Sequence, residues 1–422
     1  MSIVVMKFGG TSVADADRIR AAAQRAIETR NAGHQVVMVV SAMGKSTDRL
    51  VSLAAQITDN PSKREMDQLL ATGEQVTISL VAMALETMGS SAISFTAGQI
   101  GIITDAVHTK AKIKSIDVKR LQTALDDGMI AIVAGFQGVT ESGAITTLGR
   151  GGSNVTLVAI AAALGAEVCE NYTDVDGIFT ADPRIVPNAR KIKTISYDEM
   201  LELASLGANV LHNRAVEFAK KYNVPIHVRN SQNKKKGTMI VAETESMERI
   251  VVSGVALKDE LARITLRNTP DRPGVAASIF QTIATNDIVV DDIIQTISDS
   301  NQATVAFTVD ISELPETKKV VEQLCRDLDC EAVIEDNLAK VSAVGMGMRV
   351  HTAVAERMFA ALAAGKINIQ NITTSEIKIS ALIDRADGPQ ALRLVHDAFD
   401  LGKAPAKHAH KRAGKSAGKS KK

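Results

Sequence analysis

From residue 1 to about 245 the chain alternates short, uninterrupted apolar runs with segments of helical character, and few architectures accept that alternation. The runs IVVMKF, QVVMVVSA, AISFT, MIAIVAGF and AEVCENYTD are continuous and mostly β-branched, as strands buried on both faces are. Between them lie helical stretches such as ADADRIRAAAQRAIETR and NVTLVAIAAALGA. This order predicts an α/β sandwich around a largely parallel sheet. Ligands of such folds gather where strands end and helices begin.

Four of those corners are rich in glycine and small polar residues: GGTS at 9–12, SAMGKST at 41–47, GFQG at 135–138 and GRGGSN at 149–154. Glycine lets backbone amides approach a ligand closely, and a helix N-terminus behind it favours anions. One such corner is weak, because left-handed turns take glycine anyway. Several in one domain point to a nucleotide and a second anionic ligand.

From about residue 250 the pattern changes to strand, loop, helix, strand, and then repeats. Ile264 and Val341 are 77 residues apart and Ile288 and Ile367 are 79 apart, so the repeat is of roughly 78 residues. Each copy supports a ferredoxin-like βαββαβ unit, placed at 262–335 and 339–401 after a first domain at 1–245. Small units in tandem usually bind a ligand or a partner. The segment 230–246 is read as the link between the first domain and the repeats.

Composition narrows the function classes. Residues 403–422 carry eight Lys or Arg and no acid, which leaves 41 basic against 48 acidic residues in the rest. The tail is therefore expected to be a solvated basic arm on a mildly acidic body. Aromatic content of 3% without Trp offers little for base stacking, so no specific nucleic-acid partner is expected. Neither a secretory leader nor an apolar run of the roughly 20 residues a bilayer span needs is expected from the sequence. Cys169, Cys325 and Cys330 lack metal-ligand spacing and read as buried thiols in a reducing cytoplasm.

Lys7 comes before Gly9 and Gly10, so the corner cannot be the G-x-x-x-x-G-K-[ST] phosphate loop. A lysine snorkelling from a strand end is one reading. The flanking glycines with Thr11 and Ser12 favour the other, phosphate contact. Arg150 offers a planar fork for a carboxylate or phosphate, and Gly151 and Gly152 offer amides before a helix, unless GRGG is only a turn. TDVDGIFTADPR, 173–184, is a ligand loop or a polar surface loop; EF-hand spacing is absent. Glu74 opens an otherwise apolar helix, where the helix N-terminus alone or a ligand would explain it.

KFGGTSV, SAMG followed by Thr47-Asp48, LLATGEQ, FTAGQIGI, AGFQG, TLGRGGS and YTDVDGIFTADPRIV, in this order and spacing, resemble the aspartokinases of the amino-acid kinase fold. The C-terminal repeat is similar to their tandem ACT domains, and only the basic tail falls outside the likeness.

The resemblance implies transfer of a phosphoryl group from ATP to L-aspartate, with Mg²⁺ arriving on the ATP and no dedicated protein metal site. It implies that Lys7, with Phe8 and the amides of Gly9 and Gly10, holds the β- and γ-phosphates. Thr173, Asp174, Phe179, Thr180, Ala181, Asp182, Pro183 and Arg184 would cradle the nucleotide. Arg150 would clamp the aspartate α-carboxylate, with Ser41, Thr47, Glu74, Gly151, Gly152, Ser153 and Asn154 completing the pocket. For regulation it implies lysine or threonine, or both, at an interface of ACT units. The matching positions there are Asp271, Gly274, Ala276, Val289, Val290, Asp291 and Gln295, with Asn368 and Ile369 from the second unit. A homo-oligomer, or an assembly with a shorter ACT-only subunit begun at Met247, is expected.

Three departures stand out. Asn154 replaces the Asp of the usual GRGGSD, Asn209 and Asn213 replace Lys and Pro, and MRVHTAV lacks the Pro-Gly that Pro273 and Gly274 supply in the first unit. Another amino-acid or carbamate kinase, and a non-catalytic amino-acid sensor, are the alternative readings.

Overall fold

A computed structural model of the chain describes residues 1–206, 210–242, 251–297, 301–346, 348 and 352–403. Asn209, Met247, residues 349–351 of MRVHTAV and the basic tail from 404 lie outside the described residues.

Eight strands form the first domain's sheet, in the order Thr194–Ser196, Thr238–Val241, Ile226–Asn230, Val168–Thr173, Ile3–Phe8, Gln35–Val40, Ile130–Ala134 and Ala92–Phe95. All neighbours pair in parallel except Ile226–Asn230 with Thr238–Val241. The strand Thr238–Val241 belongs to the stretch read as a linker; its TMIV run completes the sheet before the chain leaves the domain. Each of the five apolar runs quoted above contains one of these strands.

Period-two alternation sorts the strand side chains between two cores. Val4, Met6 and Phe8 pack with Ile19, Ala23 and Ile78 on one face. Val5 packs on the other with Val155, Leu157 and Val158 of the helix Gly152–Leu164, so Lys7, two residues on, emerges on that side. The helices Lys63–Leu70 and Thr72–Thr87 run on as 25 residues, long and apolar enough to cross a membrane by length and composition. Ile78, Val81 and Leu85 instead fill the core under the sheet, so the run serves as a core helix. A separate four-stranded sheet, Ile113–Ile116, Ile102–Thr104, Gln137–Val139 and Ile145–Thr147, was not expected from the sequence; its strands are only three or four residues long.

The C-terminal part is one six-stranded antiparallel sheet, ordered Asp291–Ile297, Gln302–Asp310, Val251–Pro270, Glu331–Met346, Lys378–Asp384, Asn371–Thr374. The two long strands cross both repeats. Ile264 pairs with Ile334 in the first unit, and Val255 pairs with Ala343 in the second, with bulges between Lys258 and Arg263. Residues 251–258 thus precede the first unit in sequence yet build the second unit's sheet. Ile264 and Val341, and likewise Ile288 and Ile367, occupy the cores of the two units.

Candidate active site

The site is assembled at the carboxyl ends of the central strands. Ser41 N–H donates to Phe8 O at 3.1 Å, Gly135 N–H to Val40 O at 3.0 Å, and Gly9 N–H to Tyr172 O at 3.3 Å. These bonds hold the corners at 9–12, 41–47 and 135–138 and the strand end at Tyr172 side by side. Gly10 is required by crowding: a Cβ there would stand 2.9 Å from Ala42 O and 3.1 Å from Gly44 O. A Cβ on Gly9 would stand 3.2 Å from Lys7 Nζ, so the ammonium lies against that glycine. Burial pulls the Lys7 pKa down to about 8, partly offset by the nearby Asp174 carboxylate. A phosphate in contact would restore the full charge.

The facing corner is the N-terminus of the helix Gly152–Leu164. Gly151 takes a left-handed φ of 68°, and any Cβ there would strike the His212 side chain. Arg214 holds the approach to it, donating to Leu148 O at 2.6 Å and Ala111 O at 2.9 Å. Ser41 Oγ donates to Ser153 Oγ at 3.0 Å, joining two corners 112 residues apart in sequence. Gly135 fits only because it lacks a side chain: its Cβ would sit 2.8 Å from Ser153 Oγ.

Two side-chain oxygens on these elements are buried without protein partners. Glu74 is 3% exposed; Oε1 accepts from Ala42 N–H at 3.0 Å, while Oε2 is buried with no partner. Burial lifts its pKa to about 8, against the pull of the backbone N–H groups. Asn154 is buried and its Oδ1 has no partner either. Buried acceptors are rarely left unsatisfied, so Asn154 Oδ1 invites a donor, and Glu74 Oε2 would accept from one once ionised. An ammonium ion is one that would also ionise Glu74. Arg150 is exposed and makes no ion pair among the described residues, leaving its fork open. Thr47 lies half-buried in the first turn of the helix Ser46–Ala55.

The segment from Thr173 to Arg184 leaves the strand end beside Lys7. Thr173 Oγ1 donates to the exposed Asp174 at 3.1 Å. Asp176 is held by Asn230 and Asn233, each at 2.8 Å, and by Lys235 at 3.1 Å. Arg184 is folded onto Asp182, at 2.6 Å for its closest pair. Phe179 bridges to Lys191, and Pro183 is exposed. Thr180 and Ala181 turn the other way, into the second repeat unit, where Ala181 joins that unit's core.

In the first repeat unit, Asp271, Gly274, Ala276 and Gln295 line one cleft of about 420 Å³, with Gly274 left-handed at φ 96°. Val289, Val290, Asp291, Asn368 and Ile369 are not in its lining. Asp291 faces Lys340 instead, at 2.5 Å, and Ile369 packs on the second unit's core. His212 and Arg214 were missed as site residues. Nothing local in GANVLHNRAVEFA marks them, because their role comes from where the helix Asn213–Tyr222 docks.

Residues 2–230 match the amino acid kinase family, and residues 264–326 and 341–399 each match an ACT domain. Aspartokinase 2 of Bacillus subtilis (strain 168) is 52% identical over 406 residues, 96% of this chain and 99% of that protein. An aspartate kinase of Pseudomonas putida is 49% identical over 409 residues, again 96% and 99%. Among solved structures, E. coli aspartokinase III in complex with aspartate and ADP (R-state) superposes with a TM-score of 0.79 at 26% identity, covering 94% of this chain and 99% of that one. The same enzyme with lysine and aspartate (T-state) gives 0.74 at 27% identity, covering 94% and 99%. With the kinase sheet, its four glycine corners and the paired ACT units all present, the chain belongs to the aspartokinases of the amino acid kinase family.

Proposed function

We propose that this chain transfers the γ-phosphoryl group of ATP to the side-chain carboxylate of L-aspartate, giving 4-phospho-L-aspartate and ADP. This is the first step towards lysine, threonine and methionine. The observation that carries the reading is the pair of buried, unpartnered oxygens on Glu74 and Asn154, set in the same ring of strand ends as Lys7. One side suits an ammonium and the other a phosphate.

A carboxylate with an ordinary pKa near 3.9 is already ionised at neutral pH, so the acceptor needs no general base. Its oxygen forms the new bond to phosphorus as the bond to the ADP oxygen breaks. Lys7 and the amides of Gly9 and Gly10 draw charge towards the β- and γ-phosphates, the chief demand of phosphoryl transfer. Arg150 binds the α-carboxylate; Glu74, Asn154, Ser153, Ser41 and Thr47 orient the rest. Asp174, an exposed carboxylate at the strand end beside Lys7, would help hold the Mg²⁺ that arrives with ATP, and the ion would supply charge neutralisation there.

The catalytic domain is assigned to 1–245 and the regulatory units to 262–335 and 339–401, with residues 251–258 contributed to the second. Lysine, threonine or both are the inhibitors, with the first-unit cleft as their site. The working form is a homo-oligomer, or an assembly with an ACT-only subunit begun at Met247; two bands on native expression with C-terminal detection would reveal the second.

Trapping the acyl phosphate with hydroxylamine tests the reaction. Hydroxamate is expected with L-aspartate and ATP and not with L-glutamate or carbamate. No signal at saturating aspartate would leave an amino-acid sensor instead.

A further inference from the structure

His396 lies on the last helix, Gly388–Ala398, fully buried, and 216 residues from the group it meets. Its Nε2 is 3.0 Å from Thr180 Oγ1, in the segment that leaves the strand end beside Lys7. That hydroxyl already accepts from Arg190 N–H at 2.9 Å, so its own hydrogen is free to point at His396. Nε2 is then the acceptor and the proton sits on Nδ1, which has no hydrogen-bond partner and is 3.7 Å from the Asp397 carboxylate. Burial lowers the His396 pKa, consistent with a neutral ring.

The contact is one of a set. Val255 N–H donates to Thr180 O at 2.8 Å, and Arg190 Nε donates to Leu401 O at 2.7 Å. Ala181 and Val186 belong to the second regulatory unit's apolar core, not to either core of the kinase sheet. The segment is therefore held in part by the C-terminal units of the chain.

We propose that His396 is a positioning residue for ATP: by accepting from Thr180 it fixes the nucleotide segment, so the second ACT unit sets nucleotide affinity directly. The inference rests on the aspartate kinase reading and extends it. Aspartate is gripped by Arg150, Glu74 and Asn154, none of which touches this seam, so its binding is untouched.

The test compares full-length wild type, His396→Leu, His396→Gln and Thr180→Val. Losing one buried hydrogen bond is worth about a fivefold to tenfold rise in the KM for ATP, expected in His396→Leu and Thr180→Val alike. The KM for aspartate and kcat at saturating ATP stay within about twofold in His396→Leu, as expected when one site's geometry alone changes. Gln, which keeps an acceptor at the same reach, restores most of the affinity. The double variant His396→Leu/Thr180→Val is no worse than either single one. An unchanged KM for ATP in both single variants, equal damage to both substrates, or failure of Gln to rescue overturns the proposal. Titration of Mg-ADP into the same proteins reads the same affinity without turnover. Thus absence of acyl phosphate in the wild type defeats the kinase reading, whereas uniform ADP affinity defeats only the role of His396.

Discussion

Lys7 Nζ lies over Gly9, only 3.2 Å from where a Cβ on that glycine would stand. The backbone at Gly9 is ordinary, with φ −70°, so glycine is kept there for the lysine and not for the turn. Gly9→Ala is accordingly expected to fold normally and to raise the KM for ATP by about tenfold, the worth of one displaced charge-assisted contact. A thermal melt with steady-state kinetics checks it; unchanged kinetics would mean the ammonium has other room.

Glu74 offers a pH test with a defined sign. Its folded pKa is raised from 4.5 to about 8 by burial, so between those values the native state keeps a proton that the unfolded state has lost. That contribution to stability is full below pH 4.5 and fades as pH rises to 8. Glu74→Gln has nothing to lose there. Its stability relative to wild type should therefore climb across this window, by up to a few kcal/mol, and level off above it. Lys7 acts in a separate window, since its lowered pKa makes native stability rise with pH only above about 8. Denaturant unfolding of the ligand-free proteins from pH 5 to 9 gives the answer; a constant difference would count against a neutral Glu74.

Asn154 Oδ1 is buried without a partner, and in the proposed pocket a carboxylate at this position would meet the substrate ammonium. Asn154→Asp should lower the KM for aspartate, by about fivefold if one partly buried ion pair is gained, and leave the KM for ATP alone. No change would show that Glu74 already supplies the charge needed.

The cleft around Asp271 and Gln295 is expected to bind a small amino acid. Isothermal titration with lysine and threonine, singly and together, should give heat that Asp271→Ala abolishes while uninhibited turnover persists. Absence of heat from either amino acid, alone or combined, would refute the regulatory role.

Much of this was legible because the strands buried on both faces spell themselves out: IVVMKF and MIAIVAGF have no polar face to confuse the pattern. Lys7, Arg150 and Glu74 stand out as candidates because each sits next to glycines or interrupts an apolar run. Val251–Pro270 was harder, since one strand serves two units and its pairing with Glu331–Met346 depends on a partner some 80 residues away. The short strands of the small sheet carry too few residues for periodicity to show. Thr180 and His396 could not have been linked at all, because their meeting depends on two domains docking.

The account stands or falls on the lysine that precedes the glycines. Hydroxamate formation from ATP and L-aspartate should be robust in the wild type and lost by Lys7→Ala, with an unchanged melting temperature or a slightly higher one, as expected when a buried charge is removed. Near-normal turnover in Lys7→Ala would contradict it.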